Sequence, residues 1–113
     1  MLSITGWWLV LEPADLRCGM DRLWLLVQQL RGRAPAEGEA YVFGNRSGTR
    51  IKLLCCDRHG VWLAVRRLQQ GRFIWPHRGD SVWNLSHEQF NWLCMGVDWR
   101  RLSGPLETSK TVL

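Results

Sequence analysis

Lysine is almost missing from this chain: only Lys52 and Lys110 stand among its fifteen basic residues, so the positive charge is carried by arginine. A long apolar run is missing too. No stretch reaches the ~20 residues that a membrane-spanning helix needs, which excludes that class. Trp7 to Leu11 is apolar but short, and no basic run precedes it, so no signal peptide is visible. The four cysteines, Cys18, Cys55, Cys56 and Cys94, form no C-x-x-C pair, and two of them are adjacent, a poor disulfide arrangement. These absences together predict a reduced, soluble, cytoplasmic protein.

What is present is apolar and aromatic. Hydrophobic residues make up 46% of the 113 residues, including eight tryptophans, which excludes a disordered chain and fits one domain with a dense core. Trp7–Leu11 reads as a buried strand ended by Pro13. Leu16, Met20, Leu23, Val27 and Leu30 then fall at helical spacing, with Asp15 as the expected cap and Gly19 inside the helix. Gly32–Glu39 reads as a loop. Strands are expected at Ala40–Phe43, Arg50–Cys56, Val61–Leu68, Arg72–Trp75 and Ser81–Leu85, with turn residues at 44–48, 57–60 and 69–71. Ser86 and Gln89 form a capping-box pattern that opens a last helix, whose apolar face is Phe90, Leu93, Cys94 and Val97. The expected architecture is α+β, a small antiparallel β-meander of about five strands flanked by an N-terminal and a C-terminal helix. Residues 1–101 would form one domain and residues 102–113 a flexible tail.

The charge is uneven. Between Gly44 and Gly79 stand eight basic residues, Arg46, Arg50, Lys52, Arg58, Arg66, Arg67, Arg72 and Arg78, against the single acid Asp57, a net of +7. The rest of the chain holds seven basic residues against nine acids. Basic and apolar residues alternate along the central strands, so Arg50, Lys52 and Arg66 are expected to project from one sheet face. Such a face neutralises phosphates and releases counterions, and flat rings beside it can stack on unpaired bases. No helix-turn-helix, zinc-finger or RNA-binding motif is present, so the expected contact is with the phosphate backbone. The residues expected to bind nucleic acid are Arg50, Lys52, Arg66, Arg67 and Arg72. Arg17, Trp62 and Trp75 are candidates for further interaction or stacking, although Arg17 also stands four residues before Asp21, where a plain helix-surface ion pair would form.

Four stretches carry a resemblance to a known family. They are Asp15-x-Arg17-x-Gly19-x-Asp21-x-Leu23; Val42-Phe43 with Arg50-Ile51-Lys52-Leu53-Leu54 and Asp57-x-x-Gly60; Arg66-Arg67-Leu68 with Gly71-Arg72-Phe73-x-Trp75-Pro76; and Leu85-Ser86-x-x-Gln89 through Trp92-Leu93 to Gly96-Val97-Asp98-Trp99. In this order and spacing the chain resembles the second-open-reading-frame accessory proteins of insertion-sequence family sixty-six, the TnpB type. The likeness runs from near Trp7 to Arg101. It departs from the family pattern at Cys55-Cys56, where aromatics are usual, at Arg66, where lysine is usual, and at Ala64-Val65. The resemblance implies a non-catalytic accessory protein for DNA transposition, encoded beside a separate transposase. The expected partners are DNA at the element ends and that transposase, with no membrane, no small-molecule substrate and no cofactor. The alternative is a protein-interaction module that assembles with the transposase without touching DNA.

Catalytic chemistry finds little support. Strand transfer uses clustered carboxylates on metal ions, and Asp57, Asp80 and Glu88 are better read as turn, loop and first-turn helix residues. Cys56 and His59 make a C-x-x-H pair, with His77 and His87 further on, but structural zinc wants a second pair at matching spacing.

Overall fold

A computed structural model of the chain describes residues 3–76 and 81–104. The expectations at His77, Arg78 and Asp80, and for the tail beyond Gly104, lie outside these residues. Five strands form one sheet: β1 (Gly6–Val10), β2 (Glu39–Gly44), β3 (Arg50–Asp57), β4 (Gly60–Arg67) and β5 (Val82–Leu85), in the order β4-β3-β2-β1-β5. Two helices, α1 (Met20–Arg31) and α2 (His87–Cys94), complete the α+β fold, with a short 3₁₀ turn at Trp99–Arg101.

The pairing differs from a plain meander at two places, both on β1. β2, β3 and β4 are joined by hairpins, but β1 runs parallel to β2, with α1 crossing between them. Parallel neighbours need such a crossover, and a helix supplies it. β5 returns antiparallel to the other side of β1. β1 is therefore interior, which explains its unbroken Trp-Trp-Leu-Val run. Trp8 and Val10 pack with Leu23 and Val27 of α1, Tyr41, Phe43 and Leu54 on one face of the sheet. Leu9 packs on the other with Val42, Ile51, Trp83, Leu85, Phe90, Leu93 and Trp99. The sheet is thus covered on both sides.

Local chemistry sets the helix ends. α1 begins at Met20, later than the apolar spacing predicts. Gly19 is its N-cap in an extended conformation, and Asp15 does not cap it. The Asp15 carboxylate instead accepts from the backbone N–H and guanidinium of Arg17. Gly32 closes α1 with φ +71, a left-handed conformation that suits glycine. α2 opens with the expected capping box, Ser86 Oγ accepting from Gln89 N at 3.0 Å and Gln89 Oε1 from Ser86 N at 2.9 Å. Gln89 is fully buried, and its amide also donates to the Leu102 carbonyl at 3.0 Å.

Residues 72–75, expected as a strand, are irregular chain packed against the β2–β3 turn. Phe73 N donates to Gly48 O at 2.8 Å, a single bond and not a ladder. Two indoles pin the segment: Trp75 Nε1 donates to Val10 O at 3.0 Å, and Trp99 Nε1 donates to Ile74 O at 2.8 Å. Trp75 lies so close to Gly44 that a Cβ there would sit 2.9–3.1 Å from its ring.

Candidate nucleic-acid interface

The site grows out of one turn. β2 ends at Gly44 and β3 begins at Arg50, and Asn45 closes the connection, its Oδ1 accepting from Thr49 N and Arg50 N at 3.1 Å each. Gly48, at φ +75, allows the chain to reverse. This turn gathers arginines from four segments of the chain. Arg46 is in it and Arg50 follows it. Arg67 pairs with Arg50 across β3–β4, and Arg66 precedes it on β4. Arg72 arrives with the irregular segment, its Cβ 3.6 Å from where a Cβ on Gly48 would stand. All five are exposed.

The register decides the faces. Residues opposite one another in a ladder share a face. Arg50 pairs with Arg67 and Lys52 with Val65, so Arg50, Lys52 and Arg67 lie on the α1 side. Arg66 pairs with Ile51 and lies on the α2 side, not beside Arg50 and Lys52 as the alternation predicts. There one of its guanidinium N–H groups reaches the Cys94 carbonyl at 3.5 Å. Lys52 is half-buried, and its ammonium donates to Cys18 O at 2.9 Å, tying β3 to the loop before α1. The arginines therefore surround one rim of the sheet, while the helices cover its faces.

Ion pairing among the described residues passes this rim by, as it does the exposed Arg22, Arg58 and Arg101. Among the described residues the ion pairs are Arg17–Asp15, Arg31–Glu39, Arg33–Glu39 and Arg100–Asp98, and none includes Arg46, Arg50, Arg66, Arg67 or Arg72. The rim also borders a cleft of about 380 Å³, lined by Arg46, Arg72, Phe73, Trp75 and, as its acid, Glu12. Guanidinium groups free of internal carboxylates keep most of their donors for a polyanion, and each can grip phosphate with two parallel N–H groups.

The other sequence candidates sit apart. Arg17 is exposed and held by Asp15, whose carboxyl it keeps at about 2, below the usual carboxylate range; the expected Arg17–Asp21 pair does not form. Trp62 is exposed on β4, its Nε1 donating to Asp57 Oδ2 at 3.0 Å. Asp57 also accepts from His59 N and Gly60 N at 2.8 Å, and these bonds, that from Trp62 foremost, hold its carboxyl below the usual range. Trp75 is half-buried and tied to β1, a wall of the cleft more than a free stacking surface. Arg46 was not singled out by the sequence because Gly44–Gly48 reads there as turn chemistry, although it lies inside the +7 window.

Thiol and metal chemistry are elsewhere or lacking among the described residues. Burial pushes the Cys55 and Cys94 thiols up to about 11 and raises Cys56 as well. Cys56 is buried in β3 while His59 is exposed in the turn, and no group of three or more His, Cys, Asp or Glu among the described residues is placed to hold a metal. No helix among them is long and apolar enough to cross a membrane.

The fold and rim define a small mixed-sheet α+β protein with an arginine-lined edge. The chain belongs to the IS66 Orf2-like family, whose model matches residues 5–104. It is 37% identical to protein y4hO of Sinorhizobium fredii over 101 residues, covering 89% of this chain and 85% of that protein. It is 33% identical to protein y4jC of the same organism over 91 residues, 80% and 78% of the two chains. No solved structure matches it. Membership associates the protein with transposition of insertion sequences as an accessory component, in a family not known for enzyme activity.

Proposed function

We propose that this protein is a non-catalytic transposition accessory factor that holds element DNA through the arginine rim, leaving strand chemistry to the separate transposase with which it assembles. The observation that carries the reading is the segregation of charge. Five exposed arginines from four chain segments meet around the Asn45–Thr49 turn, without ion-pair partners among the described residues. The four arginines with ion pairs among the described residues, Arg17, Arg31, Arg33 and Arg100, all lie outside the rim. The helices cover the middle of both faces, so the margin of the sheet, with the exposed β4, is what remains for a DNA backbone. The contact is to phosphates, so affinity depends on salt and little on sequence.

Fluorescence anisotropy with a duplex of element-end sequence and a scrambled duplex tests this. Both should bind in low salt, with log Kd rising against log salt at a slope of about 4.5 if roughly five phosphates are neutralised. Absence of binding at low salt would remove the DNA reading. The exposed Trp62 favours the second reading, a module that docks on the transposase alone. In that case the pair would co-purify after nuclease digestion while the isolated protein ignores DNA.

A further inference from the structure

Among the described residues β4 is the outermost strand of the sheet, and its outer edge is well suited to pairing. Gly60–Arg67 reads Gly-Val-Trp-Leu-Ala-Val-Arg-Arg. Exposed edges are normally blunted by charged side chains, lysine above all, by proline, bulges or inward charge, and here the only charges are Arg66 and Arg67 at the strand's end. This strand has no proline, lysine or acid, and it exposes Trp62 at 57% and Val65 at 60%.

The backbone pattern says which groups face outward. Leu68 N donates to Thr49 O at 3.0 Å, and this pair continues the β3–β4 register. In an antiparallel ladder hydrogen-bonded and non-bonded pairs alternate. Arg66, Ala64 and Trp62 therefore spend their N–H and C=O groups on β3, while Arg67, Val65, Leu63 and Val61 direct theirs away from the sheet. β2 confirms the phase: Asn45 N donates to Arg50 O at 3.2 Å, so β3 alternates correctly between its two neighbours.

We propose that a second copy of this chain pairs antiparallel along β4, with the two-fold axis at Ala64, to make a continuous ten-stranded sheet. Centred there, Leu63 bonds with Val65 of the other copy and Val61 with Arg67, giving about eight new backbone hydrogen bonds across the junction. All four outward-facing residues are used, and every side chain stays on its own face. The side chains also fit. Trp62 comes opposite Arg66 of the other copy at a non-bonded pair, where Cα atoms approach to ~4.5 Å and a guanidinium can lie on an indole face. Trp62 is already held by its bond to Asp57. On the α1 side Leu63 meets Val65, an apolar pair. At the axis Ala64 meets its own counterpart, small enough for close approach. The arginines are kept apart, because antiparallel pairing sends the two basic rims to opposite ends of the junction. The strand sequence is thus complementary to itself, which is what a two-fold contact requires.

Sedimentation of nuclease-treated protein in 0.5 M salt, at roughly 100 µM, tests this independently of DNA. The expected species has twice the 13.2 kDa chain mass. Val65→Lys, at a largely exposed position, should return it to the monomer while keeping a cooperative thermal melt. Ala64→Cys gives the register test. Its thiols would face each other within disulfide reach, so oxidation should cross-link this variant well beyond the wild type, and Leu63→Cys should not match it. A wild-type monomer under these conditions overturns the proposal. So does a dimer untouched by Val65→Lys, or equal cross-linking of the two cysteine variants.

Discussion

The two ends of this sheet use arginine in opposite ways. At the β2 start, Arg33 grips the Glu39 carboxylate at 2.6 and 3.0 Å, Arg31 lies 3.9 Å over the Trp8 ring, and the Tyr41 hydroxyl donates to the same carboxylate at 2.9 Å. Burial alone would raise the Glu39 pKa, but the bonds from Arg33, Ala36 N and Tyr41 outweigh it and the carboxyl is lowered. Burial, together with the bond to Glu39, pushes Tyr41 up. At the β2 end, five arginines stand without an ion-pair partner among the described residues. The same side chain closes the fold at one end and is left for a partner at the other. A count of arginines cannot distinguish these uses, whereas ion-pair geometry can.

The contrast makes separable predictions. The largest effect is expected from Arg50→Glu combined with Arg67→Glu, which should weaken duplex binding by about a hundredfold or more in low salt. The melting temperature should hold, since both side chains are exposed. Stability loss with normal binding by renatured protein would break the contrast. Glu39→Gln is the mirror experiment. It removes the charge and turns Oε2, the acceptor of the 2.6 Å bond from Arg33, into an amide donor, and should cost about 2 kcal/mol in denaturant unfolding, with DNA affinity unchanged.

Gly44→Ala tests the scaffold of the rim. The added methyl meets the Trp75 ring, so the segment carrying Arg72 must shift, at about 1–2 kcal/mol, with a severalfold loss of binding. Acid titration sharpens the Glu39 end further. Its folded pKa is lowered, so its contribution is complete above the unfolded value of about 4.3 and is lost as pH falls through the folded one. Glu39→Gln should flatten this part of the stability profile. The smallest effect belongs to Arg17→Ala, which should leave both melting and DNA affinity unchanged, because Arg17 is fully exposed and paired only with Asp15.

The sequence revealed what short spacings control. The Ser86–Gln89 box, the central hairpins and the clustering of charge all depend on neighbours in the chain. The parallel β1–β2 pairing departs from the expected meander because a strand–helix–strand order allows a crossover as well as a return. The placing of Arg66 was readable in principle. Asp57 and Gly60 flank a two-residue loop, and pairing them puts residue 66 opposite 51, not beside 50. Residues 72–75 could not have been read this way. Their alternation looks like a strand, but their conformation is set by Gly48, Gly44 and the indole of Trp99, all far away in sequence.

The interior position of β1 has a consequence for how the chain is made. Its first pairing strand, β2, appears early in synthesis, but its other neighbour, β5, begins only at Val82. The middle of the sheet therefore stays open on one side until most of the polypeptide has left the ribosome. Contacts this distant slow folding, and a product truncated before Leu85 would expose the edge of β1 and tend to aggregate. A prematurely terminated copy would then be cleared instead of competing with the intact protein.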